Sequence, residues 1–176
     1  MEELLALELA ATVDGDRDLL SGPRDLERWL AARGIEEPGL ALRLADFRGL
    51  RSAIRSLLLA NVDGRPMPPD AVQALNAASA AAPAHSRLEV GDGAIRVDEV
   101  ETGPAAARVF AAIARSGIEI IGGSSRERLR SCPAPRCGRF FLAARARQTW
   151  CSPACGNRVR VARHHERRRR PPPLRA

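Results

Sequence analysis

All four cysteines of the chain lie between residues 132 and 155, in the pattern Cys132-x4-Cys137-x13-Cys151-x3-Cys155, and none occurs before them. Two close pairs joined by a longer spacer suit a tetrahedral S4 zinc site, because each pair can span two neighbouring corners of the tetrahedron. Two disulfides and an iron–sulfur cluster are the alternatives. Disulfides need an oxidising compartment, and the start MEELLALELAATVDGD carries acids where a secretory leader has a basic region. A small metal-tied module is therefore expected around residues 126–170.

The second pair has local chemistry that suits a metal. Ser152 and Pro153 follow Cys151; serine is a favoured N-cap and proline a favoured first helical residue. Cys151 and Cys155 then flank the first turn of a helix, where free N–H groups and the positive dipole end favour thiolate. The first pair brackets a knuckle containing Pro133 and Pro135. Phe140 and Phe141 are expected to begin a short hairpin returning at Trp150, with these three aromatics forming a mini-core around the metal. Knuckle, hairpin and ligand-bearing helix in that order predict a treble-clef-like zinc module.

Charge separates the same segment from the rest. Residues 1–125 carry a net charge of −6 and residues 126–176 a net of +13. An acidic body beside a strongly basic end points to a polyanion partner for that end alone. The run after the metal, ACGNRVRVARHHERRRR, predicts a helix of about 17 residues, roughly 25 Å long, with Arg160, Arg163 and Arg167 on one stripe and His164 and Arg168 beside it. Arg158 lies near its start, and Arg169 and Arg170 extend the positive field. Such a helix can lie in a major groove or along phosphates, double-stranded DNA being the expected partner. A merely solvated basic helix is the bland alternative. All 28 basic residues are Arg, so the preference for Arg over Lys carries no functional weight.

The first 125 residues read as mainly α with one β-hairpin. Helices are expected over 2–12, from Pro23 to Gly34, from Gly39 to Ala60, from Asp70 to Ala82 and from Pro104 to Ile121, the last with Val109, Ile113, Ile118 and Ile121 inward. Val13–Gly22 reads as a loop. Leu88–Val90 and Ile95–Val100 flank Gly91-Asp92-Gly93 as a hairpin. Ser125–Arg130 reads as a short basic helix or turn, and 171–176 as a disordered tail. Aromatics are 3% of the chain, which predicts a core of Leu, Ile, Val and Ala.

No run reaches the ~20 apolar residues of a membrane span, so a cytoplasmic, nucleoid-associated protein without a membrane partner is expected. No catalytic constellation is visible. Four sulfur ligands would leave the metal no open position for water, so the expectation is a structural metal and no enzyme.

The segment WCSPACGNRVRVARHHER resembles the C-terminal signature of the CGNR zinc finger proteins, in which the fourth cysteine opens the CGNR tetrapeptide. Upstream, LALELAATVD, PRDLERWLAARG, PPDAVQALNAA and IARSGIEIIGGSSRERLRSCPAPRCGRFF are similar to that family's N-terminal domain, called ABATE. The resemblance covers nearly the whole chain. It implies one structural zinc per chain on Cys132, Cys137, Cys151 and Cys155. It also implies a nucleic-acid-facing helix carrying Asn157, Arg158 and the basic residues to Arg170. The family is regarded as stress-induced transcription regulators. Glu8 and Ala11 stand where the family has Asp and Asn, and the inter-pair loop FFLAARARQTW is shorter and lacks the family's Asp and Ser. The expected organisation is a sensing or oligomerising domain over 1–125, open to a small-molecule effector and to homodimerisation, and a zinc finger over 126–170. The alternative is an RNA-binding or protein-docking zinc module attached to a ligand-binding domain.

Overall fold

The computed structural model describes residues 4–91 and 93–169, with the backbone alone described at 164 and 166–169. The expected disordered tail, 171–176, and Arg170 lie outside the described residues.

Helix α1 runs Leu5–Ala10, shorter than expected, and is followed by a minimal hairpin where a loop was expected. Its strands, β1 (Val13–Asp14) and β2 (Arg17–Asp18), pair antiparallel around Gly15-Asp16, with Gly15 at φ 58°. The two-residue loop is Gly-Asp, with glycine supplying the positive φ, and it closes strands of only two residues. Helix α2, Pro23–Ala31, starts behind Gly22, which has no capping side chain; the Asp25 carboxylate reaches back instead and accepts from the Ser21 and Gly22 N–H groups, each at 3.0 Å. The expected helix from Gly39 resolves into a 3-10 turn, Leu40–Arg43, and the long helix α3, Leu44–Val62. Then come α4, Pro69–Ala80, the hairpin β3 (Ala84–Gly91) and β4 (Ala94–Glu101), and α5, Ala105–Gly122. No described helix is long and apolar enough to cross a membrane.

Helix α3 lies at the centre, touching α1, α4 and α5. Its buried positions Phe47, Leu50, Ile54, Leu57 and Leu58 keep the 3- and 4-residue spacing read from sequence. The purely aliphatic core is corrected: Trp29, Phe47 and Phe110 join α2, α3 and α5, with centroids 6.2 Å and 4.5 Å apart. In α5 the inward residues are Phe110, Ile113 and Ile120, with Val109 and Ile121 partly buried. Ile118 faces outward, off the stripe those positions define. At Gly117, α5 packs beside α4 and α1, where a Cβ would stand in ordinary van der Waals contact with Leu75 and Ala6 at 3.4–3.5 Å. Next to it, the buried Ser116 hydroxyl accepts from the free Ala6 N–H of α1 at 3.1 Å.

The β3–β4 hairpin is longer than read from sequence and projects from the helices. Leu88, Val90, Ile95 and Val97 share one face and are 65–74% exposed. Alternation located the strands but not a buried face, because no other described element covers them.

Beyond α5, a 3-10 turn (Ser124–Arg128) leads into β5, Leu129–Ser131. It pairs antiparallel with β6, Phe140–Leu142, and the last element among the described residues is α6, Pro153–Arg169. The partner expected for Phe140–Phe141, a strand returning at Trp150, is therefore corrected to the strand preceding the first cysteine.

Candidate metal centre and its basic surroundings

The β5–β6 ladder splits its side chains between two cores. Leu129, Phe140 and Leu142 face the large helical core, while Phe141 lies in a second cluster with Cys132, Ala134, Ala143, Cys155 and Val159, and Trp150 packs against it. This follows from period-2 alternation. The expected mini-core of Phe140, Phe141 and Trp150 thus loses Phe140, which sits under the Arg55 guanidinium at 5.4 Å.

The second cluster brings the four cysteine sulfurs within 4.8 Å of one another. All four are free thiols, and Cys137–Cys151 and Cys151–Cys155 are 3.8 and 3.5 Å apart. Arms of about 2.3 Å in a tetrahedron put sulfurs about 3.8 Å apart. The spacing and donor set therefore fit zinc, and the disulfide alternative drops out. Two strands and a helix start position the ligands. Cys132 follows β5, and its N–H donates to Arg139 O at 2.9 Å; the Cys137 N–H donates to Ala134 O at 3.0 Å, closing the knuckle. Arg136, inside the knuckle, takes a left-handed φ of 59°. Ser152 caps α6 as expected, its hydroxyl accepting from the Cys155 N–H at 3.3 Å. Burial pushes the Cys137 and Cys151 thiols up, and the neighbouring sulfurs push Cys151 further. Burial also opposes ionisation of Cys155, but hydrogen bonds from Ser152 and the other thiols bring it below its ordinary value. Protein groups thus ease ionisation at Cys155 and oppose it at Cys137 and Cys151, and a divalent cation would supply the charge that holds these sulfurs as thiolates.

Two residues of the CGNR segment have local packing jobs. Gly156 lies against Trp150, where a Cβ would meet Trp150 Cδ1 at 3.0 Å. Arg158 folds back: Nη1 donates to Pro135 O at 2.9 Å, and Nη2 lies 3.9 Å from Cys155 Sγ. Arg158 therefore ties α6 to the knuckle. Sequence spacing gave no sign of this, since Pro135 is 23 residues away. Asn157 is exposed and accepts from Arg160. Arg163 is exposed on the same side of the helix as Arg160. The expected contacts His164, Arg167, Arg168 and Arg169 lie on α6 with side chains outside the described residues, and Arg170 lies beyond them.

The module is anchored to the helices. Arg55 Nη1 donates to Ala10 O at 2.7 Å and to Gly138 O at 3.1 Å, bridging the end of α1 and the knuckle. Burial lowers the pKa of Arg55, although a guanidinium stays charged regardless. The β1–β2 tip presses on the same place: a Cβ on Gly15 would stand 3.1 Å from Arg136 O. No local sequence signal marks either contact.

Charge pairing differs between the two regions. In the body, Arg28, Arg33, Arg43, Arg48, Arg51, Arg65, Arg87 and Arg115 all hold carboxylates. Around the metal, Arg136, Arg139, Arg145, Arg147 and Arg160 are exposed and have no carboxylate partner among the described residues. Arg145 and Arg147 sit on the inter-pair loop, which Gln148 holds by accepting from the Ala144 N–H at 2.9 Å and donating to Trp150 O at 3.1 Å. The basic surface expected on α6 thus extends to this loop, whose arginines enter the charge count but carry no local sequence mark.

No curated protein matches the chain. The family model of ABATE, described as "putative stress-induced transcription regulator", matches residues 3–124, and that of the CGNR zinc finger matches 128–168. With more than half its length under the first model and its four clustered cysteines under the second, the chain belongs to the ABATE family and carries a CGNR zinc finger holding one structural zinc.

Proposed function

We propose that this chain is a DNA-binding transcription regulator whose CGNR module, a treble-clef-like finger, docks on duplex DNA. The carrying observation is the exposed arginines around the metal that lack carboxylate partners among the described residues, beside a body in which eight of thirteen arginines hold carboxylates. Leaving like charges adjacent and unneutralised costs stability, and a polyanion partner removes that cost. In this reading Arg160, Arg163, Arg145 and Arg147 meet phosphates, Asn157 lies beside them, and His164, Arg167, Arg168, Arg169 and Arg170 add to the contact. Arg158, already engaged at the knuckle, acts by holding α6 in place.

The metal ties the knuckle to the start of α6 and, with four thiolates, has no position left for catalysis. Helices α1–α5 form the sensing half, which answers to a small-molecule effector. Aromatic poverty supports duplex over single-stranded partners, since single-strand recognition relies on stacking. Genome-wide recovery of nucleic acid bound to the tagged chain tests the reading. Enrichment of discrete promoter segments is expected, and enrichment of transcripts alone would replace DNA with RNA.

A further inference from the structure

A cleft of about 510 Å³ opens between α1, the loop after α2 and the first turns of α5, within the range of small-molecule sites. Its apolar lining includes Leu5, Ile35, Val109 and Ala112. These residues belong to three separate segments, so the folded body assembles the cleft.

The charges at its rim are unequal in what they have left to offer. Arg33 is spent: Nε binds Glu8 Oε2 at 2.6 Å, Nη1 donates to Trp29 O at 2.6 Å, and the guanidinium stacks 4.0 Å over the Trp29 ring. Glu101 is spent on Arg115. Arg108 donates to Gly103 O at 3.2 Å. Glu36 and the half-buried Glu37 line the same cleft without an ion-pair partner among the described residues. Counting Glu8, Glu36, Glu37 and Glu101 against Arg33 and Arg108, the lining carries four acids and two bases. A half-buried carboxylate without a counter-charge is unfavourable, and a cationic ligand would supply one.

We propose that this cleft is the effector site of the sensing half and that it takes an amphipathic organic amine. The apolar body lies on Leu5, Ile35, Val109 and Ala112, and the ammonium group meets Glu37, with Glu36 and the free oxygen of Glu8 nearby. The proposal rests on the reading of α1–α5 as a sensing half. It is independent of DNA binding, because it concerns a cleft that none of the arginines around the metal lines.

The test uses the full-length, zinc-loaded chain and three probes with the same body: 4-phenylbutylamine, 4-phenylbutanol and 4-phenylbutyrate, titrated calorimetrically at low salt. The amine should bind at least about tenfold more tightly than the alcohol, and the acid most weakly, as expected for one charge-assisted contact. Glu37→Gln should remove that advantage over the alcohol while leaving the alcohol's own affinity unchanged. Ala105→Phe, which adds a ring to the lining of the cleft, should abolish binding of all three, with unchanged circular dichroism showing that the variant is folded. Tighter binding of the acid than the amine, an unchanged preference in Glu37→Gln, or no binding of any probe at millimolar concentration overturns the proposal. Duplex DNA affinity measured on the same sample without probe keeps the two readings apart. Loss of DNA binding with retained amine binding refutes only the regulator reading, and the reverse refutes only the cleft.

Discussion

At the scale of single residues, the metal module depends on close contacts as much as on its ligands. Gly156 is the clearest case, because its missing side chain is the space Trp150 occupies. Gly156→Ala should destabilise the module by about 1–3 kcal/mol through overpacking, read as faster zinc transfer to a competing chelator. An unchanged transfer rate would mean that Trp150 can shift freely. Cys137→Ser should lower the metal content well below the one equivalent expected of the native chain, since a small site needs all its ligands. The cysteines were legible in the sequence because their spacing is local and the chemistry of four thiols is narrow. Arg158 was legible only as a cation. Its role depends on Pro135 O and Cys155 Sγ, one of them brought near by the fold across 23 residues. Phe140 and Phe141 show the same limit: adjacent residues on a strand face opposite ways, but which core each enters depends on the partner strand.

Between elements, two arginines of α3 connect the hairpin β1–β2 and the zinc knuckle to the helical body. Arg51, 5% exposed, grips Asp18 of β2 through two hydrogen bonds of 2.6 and 2.7 Å and donates to Thr12 at 3.0 Å. Hydrogen bonding from Arg51 holds the Asp18 carboxyl below the usual carboxylate range, against the opposing effect of burial. A depressed folded value means that this stability is present above the unfolded Asp pKa of about 3.9 and is lost as pH falls through the folded value. Asp18→Asn should therefore cost about 1–2 kcal/mol at pH 7, allowing for the part of Asp18 that faces water, and less at pH 3, below the unfolded Asp pKa. Denaturant melts at the two pH values check this; an equal cost at both would mean that the ion pair contributes nothing. Arg55→Ala should release the knuckle from α1 and speed zinc loss while leaving the helices folded, because it removes both the Ala10 and Gly138 contacts. The long helices were legible from their 3- and 4-residue spacing. The β1–β2 hairpin was not, since two-residue strands carry no periodicity and their stability comes from an arginine 33 residues away.

For the whole molecule, an acidic body with eight of its thirteen arginines on carboxylates is joined to a metal-tied module in which Arg136, Arg139, Arg145, Arg147 and Arg160 are exposed. Strands β5 and β6 lend Leu129 and Phe140 to the large core, so zinc removal should release α6 and the knuckle while the helices from α1 to α5 persist. Hydrogen exchange with and without chelator reads this directly, and uniform loss of protection along the chain would show a single cooperative unit. The charge contrast was legible as a count, but which arginines remain unpaired depended on the folded body. The most direct test of the central claim is the affinity of the zinc-loaded chain for duplex DNA across a salt series. Log affinity should fall steeply and linearly with log salt, with the slope reduced by about one unit for each phosphate-contacting arginine removed by Arg145→Ala, Arg147→Ala, Arg160→Ala or Arg163→Ala. A flat salt dependence, or the native slope retained when all four are replaced together, would contradict it.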